Sequence, residues 1–162
     1  MRTLSDEETK LWHAWKLAGE AVMARLSRDL ADEADLSGPD FGVLSRLVDL
    51  GSGSLRQQEL ADSMRWDKSR LSHQLTRMEG RGLVQRAPGE SRSVVVLITA
   101  SGKKALDAAR PVHARSIRRH LLSRLDHEEL ETFRRICERL ADPPDEVRSA
   151  PSAIEARARR KD

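Results

Sequence analysis

Gln57-Gln58-Glu59-Leu60-Ala61-Asp62-Ser63-Met64-Arg65-Trp66-Asp67-Lys68-Ser69-Arg70-Leu71-Ser72-His73-Gln74-Leu75-Thr76-Arg77-Met78-Glu79-Gly80-Arg81 carries two helical patterns with almost nothing between them. Leu60, Ala61 and Met64 mark the inner side of the first pattern, and Leu71, Leu75 and Met78, at four- and three-residue spacing, mark that of the second. Asp67 has the side chain of a helix cap, and the join is Arg65-Trp66, so the pair reads as a helix-turn-helix. Gly82 breaks the second helix. Leu83-Val84-Gln85-Arg86 and the β-branched run Ser93-Val94-Val95-Val96-Leu97-Ile98 read as strands, folded back on each other through Pro88-Gly89-Glu90-Ser91. A hairpin placed directly after a helix-turn-helix is a winged arrangement.

Working outward, Leu11, Trp15, Ala18, Val22, Leu26 and Leu30 recur at helical spacing between Asp6 and Ala34, with Trp12, Met23 and Ala31 widening the stripe. That width predicts one face in the core and an edge that seeks another surface. Ser37-Gly38-Pro39-Asp40 has the cap, first-turn proline and third-position acid of a helix start; Phe41, Leu44, Leu47 and Val48 follow, and Gly51-Ser52-Gly53-Ser54 reads as a loop. Downstream, Thr99 is placed to cap a helix with Leu106, Ala109, Val112, Ile117 and Leu121 inward, and Pro111 predicts a kink or break in it. Asp126-His127-Glu128-Glu129 has the pattern of a capping box opening a last helix that buries Leu130, Phe133, Ile136, Cys137 and Leu140 before Asp142-Pro143-Pro144 stops it. Residues 143–162, short of large apolar side chains and ending Arg157-Ala158-Arg159-Arg160-Lys161, predict a disordered basic tail.

Of the 162 residues 38% are hydrophobic and 34% charged, and no run approaches the apolar length of a membrane span. The acidic start lacks an apolar signal core, so a cytoplasmic location is expected. A lone cysteine, Cys137, excludes an internal disulfide and a multi-cysteine zinc site, and its place on an apolar stripe predicts burial. The net charge of +3 is unevenly spread: residues 1–54 sum to −4, whereas residues 55–86 and 99–142 each sum to +3. A basic middle points to an anionic partner, nucleic acid being the commonest, and arginine, 23 of the 29 basic residues, suits bidentate phosphate and guanine contacts. No serine–histidine–acid set, phosphate-cradling glycine loop or paired-histidine zinc motif is present, so the sequence calls for no enzyme, cofactor or metal. His113, His120 and His127 are seven apart, but His127 falls on a new helix.

The order helix, helix, helix-turn-helix, wing, long helix, terminal helix over residues 8–142 resembles the MarR family of bacterial transcriptional regulators. The resemblance rests on Glu59-Leu60-Ala61, on Ser69 to Glu79 with Gly82-Leu83-Val84, and on Glu90-Ser91-Arg92 followed by Leu97-Ile98-Thr99 and Gly102, similar to the family's wing signature. Glu90 stands where the family usually has aspartate, and the hairpin tip is short. The resemblance implies a mainly α fold with a small β-hairpin wing, a single winged helix-turn-helix domain over 1–142. Its DNA-binding part would cover about 55–98, and helices at about 6–34 and 100–142 would form a homodimer. It further implies a repressor on a pseudo-palindromic site in double-stranded DNA, released by a small aromatic or phenolic effector. Trp12, His13 and Trp15 are the candidate effector residues, with dimer or domain core as the alternative use of the same aromatic stripe.

If Leu71, Leu75 and Met78 face inward, helical geometry puts Ser69, Arg70, His73, Gln74 and Arg77 outward, toward a major groove. Arg70, His73 and Gln74 are the candidate base readers, arginine for guanine and glutamine for adenine; Lys68 and Arg77 suit phosphates as well as bases. Arg92 is expected either in the adjacent minor groove or in an ion pair with Glu90 that braces the hairpin. The competing reading from another class is a winged-helix protein-interaction module without ligand response.

Overall fold

The computed structural model describes residues 3–141, so the predicted basic tail lies outside the described residues. By its internal contacts the chain forms two units, one ending at Leu121 and the other beginning at Leu122. The first contains α1 (Asp6–Ala34), α2 (Gly38–Gly51), β1 (Ser54–Arg56), α3 (Gln57–Met64), α4 (Lys68–Gly80), β2 (Val84–Pro88), β3 (Val94–Ile98) and α5 (Ala100–His120). The second contains α6 (His127–Ala141).

The helix starts follow their local chemistry. Ser37 and Asp40 form a reciprocal capping box on α2, Asp67 Oδ1 accepts from the Arg70 N–H at 2.8 Å, and Asp126 and Glu129 cap α6 reciprocally at 2.9 Å. At the helix-turn-helix join Arg65 is left-handed at φ 52°, and the Trp66 N–H donates to the Ala61 carbonyl at 3.0 Å, which closes α3 in a tight corner. Leu60, Leu71, Leu75 and Met78 are fully buried with Leu44 and Leu47 of α2, Val96 of β3 and Leu106 of α5, making one core beneath the two short helices.

Three features differ from the sequence reading. The sheet has three strands in the order β1-β3-β2, with Ser54–Arg56 pairing antiparallel to Val95–Leu97, whereas the sequence pattern supplies only the hairpin. Three residues beside a glycine–serine loop carry too short a pattern to read, and their partner lies some forty residues away. Helix α5 runs through Pro111 without a break, held along its length against α1, where Ser116 Oγ donates to Asp29 Oδ2 at 2.7 Å and His120 Nε2 lies 3.0 Å from the same oxygen. Cys137 is exposed rather than buried, as are Phe133, Ile136 and Leu140, because among the described residues α6 is the one α-helix of its unit and nothing within that unit packs on its apolar stripe.

The wing is locked to α5 at its base. Thr99 Oγ1 caps α5 by accepting from the Gly102 N–H at 2.9 Å and donates to the Gly82 carbonyl at 2.6 Å. A Cβ on Gly102 would stand 2.0 Å from the Leu83 carbonyl oxygen, so only glycine admits this approach of helix to strand.

Candidate nucleic-acid interface

Helix α4 presents Lys68, Ser69, Arg70, His73 and Arg77 to solvent on the side opposite its buried stripe. Gln74 is a correction: expected outward as an adenine reader, it is only 4% exposed and donates through Nε2 to Asp40 Oδ1 at 2.6 Å. Its position explains this, since Gln74 lies three after Leu71 and four before Met78, inside the stripe that those residues define. A buried amide needs a partner, and Asp40 at the start of α2 supplies one while also accepting from the Ser37 N–H at 3.0 Å and from Arg81 Nη1 at 2.8 Å. The other end of the Gln74 amide, Oε1, accepts from Arg77 Nη2, which anchors an outward arginine to the inward glutamine.

The arginines of this region divide by what holds them. Arg81 is paired with Asp35 and Asp40, and Arg86 with Glu79, whose Oε2 accepts from Nε at 2.9 Å. Hydrogen bonding from Arg86 holds the Glu79 carboxyl below its ordinary value. These two are structural ion pairs. Arg70 is held differently, its guanidinium carbon 4.3 Å from the centre of the Trp66 ring.

At the wing tip Ser91 and Arg92 are both left-handed, at φ 54° and 61°, and Arg92 is exposed. The tip is braced by Glu90 through its carbonyl, which accepts from Ser93 Oγ at 2.7 Å and from the Ser93 N–H at 3.0 Å. Among the described residues no ion pair joins Arg92 to the Glu90 carboxylate. Between wing and helices runs a groove of about 450 Å³ into which Arg56, Lys68 and Arg92 bring positive charge and Gln57 and Gln58 bring amides. The groove was not legible in the sequence, because Arg56 reaches it from β1, whose pairing is non-local, and Gln57 and Gln58 reach it from the first turn of α3.

Trp12, His13 and Trp15 sit on the first half of α1, exposed, with the two indoles 5.2 Å apart and tilted by 40°. The structure does not bring them to α2. His13 borders a shallow hollow with Lys16, Leu17 and Glu20 of the same helix. Where α2 meets α5, Phe41 stacks instead on His113 at 4.2 Å, and burial pushes the His113 imidazole below its ordinary value. Among the described residues no group of three or more His, Cys, Asp or Glu side chains could hold a metal ion, and no helix is long and apolar enough to cross a membrane.

A polar, arginine-bearing helix over a helix-turn-helix core, a charged groove and a wing with an arginine at its tip form a surface with the chemistry to read and grip a nucleic-acid duplex. Known proteins agree. The MarR family model matches residues 36–91. The transcriptional regulator HosA of Escherichia coli O111:H- is 32% identical over 133 residues, covering 81% of this chain and 94% of that protein. The structure of AbsC, a MarR family transcriptional regulator from Streptomyces coelicolor, superposes with a TM-score of 0.78 at 30% identity, covering 93% of this chain and 100% of that one. Sco3205, a MarR family regulator from the same organism solved in complex with DNA, gives 0.80 at 28% identity, covering 90% and 94%. With fold, interface and relatives in agreement, the chain belongs to the MarR family of DNA-binding transcriptional regulators.

Proposed function

We infer that the protein is a homodimeric cytoplasmic repressor that binds a pseudo-palindromic operator in double-stranded DNA and is released by a small aromatic ligand. The observation that carries the DNA-binding part is the outer side of α4, where Lys68, Ser69, Arg70, His73 and Arg77 are exposed together while Gln74 is withdrawn. Arg70 and His73 meet base edges, Lys68 and Arg77 meet phosphates, and Arg92 enters the flanking minor groove. The homodimer is supported by apolar side chains left open on α1 and α6, among them Leu11 at 73% and Leu140 at 71% exposure. The effector part rests on Trp12 and Trp15, which a second protomer must complete into a concave site.

Selection from a random duplex pool by the full chain tests the reading. Enrichment of a sequence with dyad symmetry, footprinted as two half-sites about one helical turn apart, is the expected result. Recovery of unrelated sequences, each bound with equal affinity, would refute a specific regulator. Titration of the complex with phenols then tests release.

A further inference from the structure

We propose that Trp66 is a positioning residue for DNA reading, a fixed aromatic platform that holds the Arg70 guanidinium in its reading pose before DNA arrives. This rests on the assignment of Arg70 to a base edge. The Trp66 backbone is pinned by its N–H bond to the Ala61 carbonyl at 3.0 Å, and its ring is half-buried, packed against the core. The ring therefore belongs to the rigid part of the helix-turn-helix. One turn later the Arg70 backbone is fixed independently, its N–H donating to the capping Asp67 at 2.8 Å. Backbone and guanidinium of one side chain are thus both tethered, with the guanidinium carbon 4.3 Å from the ring centre.

The kind of tether matters. Arg81 and Arg86 are held by carboxylates, which spend their charge and their N–H donors inside the protein. An indole face adds no negative charge and offers no carboxylate oxygen to the N–H donors, so a guanidinium over it keeps its charge and its donors for bidentate bonding to a guanine. Ordering a long arginine on binding costs rotamer freedom, and a side chain already ordered avoids most of it. The platform therefore contributes to specific binding without touching DNA.

The test uses the full chain. With Trp12→Phe and Trp15→Phe, Trp66 is the sole tryptophan of the original three. Without DNA, Arg70→Ala in this background should raise the acrylamide quenching constant of Trp66 by uncovering one ring face; an unchanged constant overturns the platform. On a duplex selected by the parent chain, Trp66→Leu should weaken binding about three- to tenfold. Trp66→Phe, which keeps an aromatic face, should weaken it less, and Trp66→Leu should cost nothing further once Arg70→Ala is present. Independent, multiplying losses from Trp66→Leu and Arg70→Ala overturn the proposal while leaving Arg70 as a reader. An Arg70→Ala variant that keeps the parent's base preference overturns the reading, and the platform's role with it. Because the quenching arm keeps Trp66, it decides even if Trp66→Leu fails to fold.

Discussion

Gln74 and Arg77 are neighbours on α4 with opposite duties, and substitution separates them. Removing the Gln74 amide leaves the buried Asp40 carboxylate short of a donor, so Gln74→Ala should lower unfolding stability by about 1–2 kcal/mol in urea titration. The base preference measured on a panel of duplexes should stay as in the parent. Arg77→Ala takes the donor from Gln74 Oε1 and should lower stability by about 0.5–1.5 kcal/mol, but unlike Gln74→Ala it should weaken all duplexes alike, as loss of a phosphate contact does. The outward direction of Arg70, His73 and Arg77 was legible from the apolar stripe alone. Gln74 was misread because its polar identity outweighed its place in that stripe, and the signal that corrects it, an acid at residue 40, lies on another helix.

At the level of elements, helix starts were legible because each cap is written within four residues: Ser37 with Asp40, Asp67, Thr99 with Gly102, Asp126 with Glu129. The third strand was not, since its pairing is non-local. The Gly102 approach predicts that Gly102→Ala separates α5 from the hairpin base and costs about 1–3 kcal/mol, seen as a lower melting temperature. At the tip, Arg92→Ala should flatten the dependence of log affinity on log salt by roughly two ion equivalents per dimer. Arg92→Gly should flatten it equally while relaxing the left-handed backbone at φ 61°; an unchanged slope in both removes Arg92 from the interface. Between α2 and α5, burial favours neutral His113. The unfolded chain takes up its proton from about pH 6.5 downward while the folded one resists, so stability should fall as pH drops below that value and level off under the folded pKa. His113→Gln should remove this part of the pH dependence in denaturant titrations between pH 7.5 and 5, conditions set by the ordinary histidine value.

For the molecule as a whole, the open apolar side chains of α1 and α6 predict a dimer in sedimentation at micromolar concentration. Introducing charge on α6 with Phe133→Glu and Ile136→Glu should shift the chain toward monomer and make operator binding steeply dependent on protein concentration. A stable parent monomer would contradict the dimer. The overall architecture was legible because the order of elements is distinctive, and the width of the α1 stripe already pointed to an edge that seeks another surface; the exposure of Cys137 was not, since periodicity shows that a face is apolar but not what lies against it. Helix α5 carries one more consequence. With no space between Gly102 and the Leu83 carbonyl, and with Thr99 hooked over the Gly82 carbonyl, helix and hairpin turn on a common fulcrum. The hairpin is an arm about 17 Å long, so tilting α5 by about 5° swings its tip by about 1.5 Å. That lever throw would carry Arg92 out of hydrogen-bonding reach of the groove proposed for it, so that small rotations of α5 would become the loss of an exposed grip.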